Sequence, residues 1–171
     1  MSLLRTALAL TLVAGAVATQ ASDGRDRLEA RLKSTQEVPA ILSAANGRFK
    51  ATVDKVSGTI AYELSYSGLE GPVRMAHIHL GQRGVNGGIM VWLCQTAAFA
   101  DPTGLAPGCP QSGSVSGLLQ AGNVVTVAAQ GVAATEFAEL LNAIRAGVAY
   151  VNVHSDRYPG GEIRGQLKDD D

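Results

Sequence analysis

The chain has 171 residues and a formal net charge of -1, from 14 Lys+Arg and 15 Asp+Glu, so it has no overall cationic excess and nucleic acid is not an expected partner. Hydrophobic residues make up 46% and charged residues 17%, a balance that excludes an unfolded chain and predicts a compact core. Aromatics are only 5%, while there are 20 glycines, which points to many turns and close packing of small side chains.

Taken in chain order, residues 1–21 (MSLLRTALALTLVAGAVATQA) have the build of a secretory signal peptide: a positive Arg5, an apolar run from Ala7 to Ala18, and small residues at the end. Cleavage after Ala18 or after Ala21 fits the pattern. The apolar run is shorter than the roughly 20 residues that a spanning helix requires, and no later stretch approaches that length. The expectation is a secreted or periplasmic protein whose mature chain does not span a membrane. Residues 22–171 are predicted to form one domain, with its core over about 28–167. No repeat, linker or second apolar block divides them, and a monomer is expected.

Apolar and polar residues alternate along the mature chain, with the period of half-buried strands. Leu28, Ala30 and Leu32 make one set, then Phe49, Ala51 and Val53, then Ile60, Tyr62, Leu64 and Tyr66. Further strands are predicted at Val73–Leu80, Gly88–Cys94, Ser114–Leu119, Val124–Ala129, Val148–Ser155 and Gly161–Leu167. One segment departs from this period. Phe137, Leu140, Leu141 and Ile144 recur at helical spacing, with Thr135 placed to cap the start and Gly147 to end it. All four apolar side chains are expected to pack on the sheet. The fold class that follows is all-β, an immunoglobulin-like or Greek-key β-sandwich with one short connecting helix.

The two cysteines, Cys94 and Cys109, are an even pair in an exported chain and predict one disulfide. It would close residues 95–108 (QTAAFADPTGLAPG), a Pro- and Gly-containing loop with few evident packing residues. A cross-link over such a loop offsets roughly 3 kcal/mol of chain entropy.

His77, His79 and His154 are the whole histidine supply. Positions 77 and 79 are two apart on a predicted strand, so both imidazoles project from one face, with Cα atoms roughly 6–7 Å apart. His154 ends a later strand. If the two strands are neighbours, three imidazoles converge, a ligand set suited to copper or zinc, and binding should weaken as pH falls through the usual histidine range near 6.5. Otherwise each is a polar residue satisfied by neighbouring backbone or by a carboxylate such as Glu162. Glu162 and Arg164 alternate on the last strand and are expected beside His154, as a structural pair or as outer partners that orient an imidazole.

Two stretches, AHIHLGQRGVNGGIMVWL (76–93) and LLNAIRAGVAYVNVHSDRYPGGEIRGQL (140–167), strongly resemble the CHRD domain. That family occurs in chordin, the animal antagonist of bone morphogenetic proteins, and in many exported microbial proteins. The resemblance extends from about Leu28 to Leu167, including the opening LEARLKSTQEVPAI. It implies an immunoglobulin-like or related β-sandwich and supplies no reaction or catalytic residues. Growth-factor binding is not carried over, because no motif here encodes it.

The H-x-H pair is also similar to the copper-ligand strand of copper-zinc superoxide dismutase, but three histidines cannot fill both of that enzyme's metal sites. The Gly-rich Gly81–Gly88 turn lacks the Lys-Ser/Thr ending of a phosphate loop, and no G-x-S-x-G occurs. A non-catalytic exported protein that binds copper or zinc is therefore expected. The alternative is an extracellular module that binds a protein partner and uses its histidines structurally.

Overall fold

The computed structural model describes residues 25–169; the expected signal peptide over residues 1–21 lies outside them. Nine strands and one helix follow in order: β1 (Arg25–Lys33), β2 (Asn46–Asp54), β3 (Thr59–Ser67), β4 (Val73–Leu80), β5 (Gly88–Cys94), β6 (Gly113–Leu119), α1 (Phe137–Arg145), β7 (Ala149–Ser155), β8 (Ile163–Gln166) and β9 (Lys168–Asp169). Among the described residues no helix is long and apolar enough to cross a membrane.

The all-β class with one helix is what the chain adopts. Its eight main strands form one antiparallel path, β5-β4-β7-β8-β1-β2-β3-β6, with β9 beside β1. Two four-stranded halves meet at a narrow seam, where Lys33 of β1 pairs with Arg164 of β8. On the far side the free edges approach each other: Val124 bridges Val91, and the Tyr62 hydroxyl of β3 donates to the Leu93 carbonyl of β5 at 2.6 Å. The sheet is thus nearly closed, closer to a barrel than to the two separately bonded sheets of the expected sandwich.

Alternation places one side chain of each strand pair inside. Phe49, Leu64, Ile78, Val151 and Ile163 are among the residues of one continuous core. The opposite face of β1, β2 and β3 is largely exposed, whereas that of β4, β7 and β8 is buried under loops.

Two further expectations are corrected. Val124–Ala129 is no strand. It makes the Val91 bridge and a Val125 amide bond to the Met90 carbonyl, then turns through a short helical turn at Ala128–Gln130, because the strap has only to cover the gap between β5 and β6. Thr135 does not cap α1. It sits at φ 67° with its amide on the Val124 carbonyl, so it is committed to the preceding turn, and Glu136 takes the capping position. Gly147 does end the helix, at φ 68°, and the Val148 amide closes back onto Ala143 as in a Schellman ending. On the packed face, Leu140, Ala143 and Ile144 are buried, while Phe137 and Leu141 are half-buried.

Cys94 and Cys109 are joined in a disulfide with their sulfurs 2.03 Å apart. The loop it closes is better ordered than its composition suggests. The Asp101 carboxylate accepts the amides of Thr103, Leu105 and Ala106 and the Thr103 hydroxyl, and the Arg74 guanidinium lies 4.0 Å over the Phe99 ring.

Leu140 is fully buried and Leu141 is not, so Leu140→Ala should cost about 2–5 kcal/mol and Leu141→Ala clearly less. Urea unfolding of the two variants checks the order.

Candidate metal centre

The site lies on the outer face of β4 and β7. These strands pair antiparallel with Met75 opposite His154, His77 opposite Asn152 and His79 opposite Tyr150. His77 and His154 are therefore diagonal neighbours on one face, close enough for side chains to meet. One ring nitrogen from each of His77, His79 and His154 lies within 4.8 Å of the others, and all three residues are buried.

The loops that cover this face fix the rings. His79 Nδ1 is 3.0 Å from the Gly87 carbonyl, and His154 Nδ1 is 2.9 Å from that of Pro159. A carbonyl only accepts, so both Nδ1 atoms carry the proton and both Nε2 atoms keep a lone pair. His79 Nε2 has no hydrogen-bond partner although it is buried. His154 Nε2 therefore accepts from His77 Nδ1 at 3.3 Å, which leaves His77 Nε2 as a second buried nitrogen without a partner. Two nitrogens bound to one tetrahedral ion at about 2.0–2.1 Å stand about 3.3–3.4 Å apart, so an ion would replace this hydrogen bond with little change in spacing. The widest separation, 4.8 Å, exceeds that value, and coordination would draw one imidazole inward.

A column of side chains supports the site from below. The His79 ring stacks on Tyr150 with centroids 4.8 Å apart, and the Arg164 guanidinium lies 3.4 Å from the centroid of the same tyrosine ring. Arg164 donates to Asn86 Oδ1 and to the carbonyls of Gln82 and Val85, which pins the Gly-rich turn that presents Gly87. Gly87 must be glycine for this approach, since a Cβ there would overlap the Leu80 carbonyl. Trp92 meets His77 edge to face, with centroids 4.2 Å apart.

Arg164 thus reaches the histidines through Tyr150 and the turn. Glu162 is buried opposite the end of β7, and its Oε1 accepts the Glu70 amide, while the partner of His154 Nδ1 is a backbone carbonyl. Sequence reasoning did not single out Glu37, which is buried and accepts Asn152 Nδ2 at 2.6 Å from 115 residues away. No local pattern could have signalled it. Tyr150 and Asn152 were readable as sharing the His154 face, but not as parts of the support.

Burial is the main cause that holds the imidazoles neutral. It pulls His77 down to about 2, helped by repulsion from His154 and His79. His79 and His154 are each pulled down to about 4, their carbonyl contacts opposing the shift without reversing it. Protons therefore compete for these nitrogens near pH 4 rather than in the usual range near 6.5.

These shifts link stability to pH. Unfolded histidines titrate near 6.5, above their folded values, so unfolding takes up protons below that pH. Their contribution is complete above about pH 6.5 and is lost as pH falls through about 4. Glu37 works in the opposite sense: burial raises its carboxyl to about 7, so the folded state holds an extra proton between about 4.5 and 7. Three histidines outweigh one carboxyl. For the metal-free protein the urea midpoint should fall steeply from pH 6.5 to 4, and more steeply in Glu37→Gln. A flat or rising profile would contradict the assignment.

The family model described as the CHRD domain matches residues 28–167. No curated protein and no solved structure matches the chain. The match spans the described strands from β1 to the end of β8 and includes all three histidines, both cysteines, Glu162 and Arg164. The chain belongs to the CHRD domain family.

Proposed function

We propose that this CHRD domain is an exported, non-catalytic protein that binds one copper or zinc ion through His77, His79 and His154. The observation that carries the proposal is the pair of tautomers set by the Gly87 and Pro159 carbonyls, which leaves lone pairs on two buried Nε2 atoms beside His77. His77 Nε2 and His79 Nε2 are buried without a partner, each at a cost of about 1–3 kcal/mol, and a divalent ion with imidazole ligands relieves that cost. The arrangement follows the usual design of metal-binding histidines, whose second ring nitrogen donates to a carbonyl or carboxylate.

Burial of all three rings suits an ion that stabilises or is stored better than one that turns over substrate. Export is supported by the signal-like residues 1–21 and by the Cys94–Cys109 disulfide, a bond that persists in oxidising compartments. In this reading a signal peptide precedes a single domain over 22–171. Arg164 is an outer partner acting through Tyr150, whereas Glu162 holds the Glu70 amide.

Titration of untagged protein with Zn(II) and with Cu(II) at pH 7 tests the proposal. One equivalent should bind saturably and raise the unfolding temperature. Each of His77→Ala, His79→Ala and His154→Ala should lower affinity by more than about 100-fold, beyond the loss typical of removing an outer partner. Affinity should hold down to about pH 5, because the folded imidazoles are already neutral there. Absence of saturable binding, or binding unchanged in the triple variant, would overturn it.

A further inference from the structure

The exposed outer face of β1 and β2 concentrates positive charge in a chain whose net charge is -1. Arg27, Arg31 and Lys33 alternate along β1, and Arg48 and Lys50 along β2, all exposed. Lys168 of β9 adds a sixth cation opposite Glu29. Carboxylates on this face are few. Glu29 pairs with Arg48 at 2.7 Å and is held below the usual carboxylate range, first by that bond. Glu63 lies opposite Lys50, and Asp54, at the strand end, accepts the amides of the following turn. Among the described residues, Arg27, Arg31 and Lys33 form no ion pair.

The register sharpens the point. Arg31 stands directly opposite Arg48, a like-charge cross-strand pair that destabilises a sheet. Glu29 answers Arg48 alone, and a bound anion would answer Arg31. The unpaired row from Arg27 to Lys33 spans about 20 Å at the rise of a strand, too long for one small anion and suited to a chain of regularly spaced charges. Two adjoining hollows of about 520 and 410 Å³ lie over the row and share Glu29.

We propose that this face binds a linear anionic polysaccharide. No exposed aromatic ring lies on it among the described residues, so it lacks the stacking platforms used for single-stranded nucleic acid. β1, β2 and β3 are paired on both sides, so an acidic peptide cannot dock by adding a strand. Thr52 and Ser116 line the larger hollow and offer hydroxyls to sugar groups beside the cations. The inference is independent of the histidine site.

Binding of size-fractionated dextran sulfate to the full mature chain, measured by calorimetry with chelator present, tests it. Saturable binding at low salt, weakening as salt rises, is expected. Arg27→Ser/Arg31→Ser/Lys33→Ser should lower affinity by about tenfold or more, while Arg145→Ser/Arg157→Ser, away from the face, should leave it unchanged. Arg31→Ser alone should keep or raise the unfolding midpoint, which separates lost binding from lost folding. No binding at low salt, or equal loss in the control variant, would overturn the proposal. So would tighter binding of oligothymidine or of phosphatidylglycerol vesicles through the same arginines, which would assign the face to those partners.

Discussion

The outer half of this domain depends on a buried guanidinium. Arg164 is 2% exposed, and no carboxylate forms an ion pair with it among the described residues. A charge taken out of water is costly unless its hydrogen-bonding capacity is met. Here two backbone carbonyls, an amide oxygen and the face of Tyr150 meet it. Arginine suits this role because its planar fork serves several acceptors at once and its face stacks on an aromatic ring. The carbonyls belong to the Gly-rich turn, so satisfying the charge also fixes the turn. Glu37 lies close enough to interact with the guanidinium electrostatically, yet burial keeps its own carboxyl near neutrality.

From that anchor the histidine geometry follows. The turn delivers the Gly87 carbonyl to His79, and the Gly87 amide donates to the Tyr150 hydroxyl, so tyrosine and imidazole are set by the same residue. Gln166 extends the hold by donating to the carbonyls of Gly81 and Gly147. On the other side, Gly161 leaves room for the Asn152–Glu37 contact, since a Cβ there would strike both side chains. The His79 and His154 imidazoles are thus oriented by backbone, and backbone orientation survives side-chain motion better than a contact between two flexible chains.

Much of the architecture was legible because it is periodic. Strand alternation located eight strands, and the H-x-H spacing put His77 and His79 on one face. What sequence could not supply was pairing across distance. The neighbourhood of His154 and His77 depends on β4 and β7 being adjacent, and nothing near either residue encodes that. Val124–Ala129 has the composition of a strand, but it has no full strand partner and so bends into a strap. Residues 95–108 looked sparse because one aspartate, Asp101, organises the loop through backbone amides, and backbone groups leave no mark in composition. Thr135 is an apt capping residue whose amide was already committed to Val124.

The seam between the two halves has a consequence for the order in which the molecule is assembled. β1, β2 and β3 are consecutive hairpins and can pair as soon as they exist. β4 and β5 form another local pair. In the strand ladder it is β8, more than 120 residues after β1, that joins these pieces, contacting β7 on one side and β1 on the other. Contacts of such long sequence separation form late and make folding slow. During synthesis the β1–β3 meander therefore waits, with one flank of β1 unpaired, until β8 has been made. In that interval β1 is an open strand edge of the kind that invites association between chains, and the arrival of Arg164 closes it in the same event that seats the turn over the histidines.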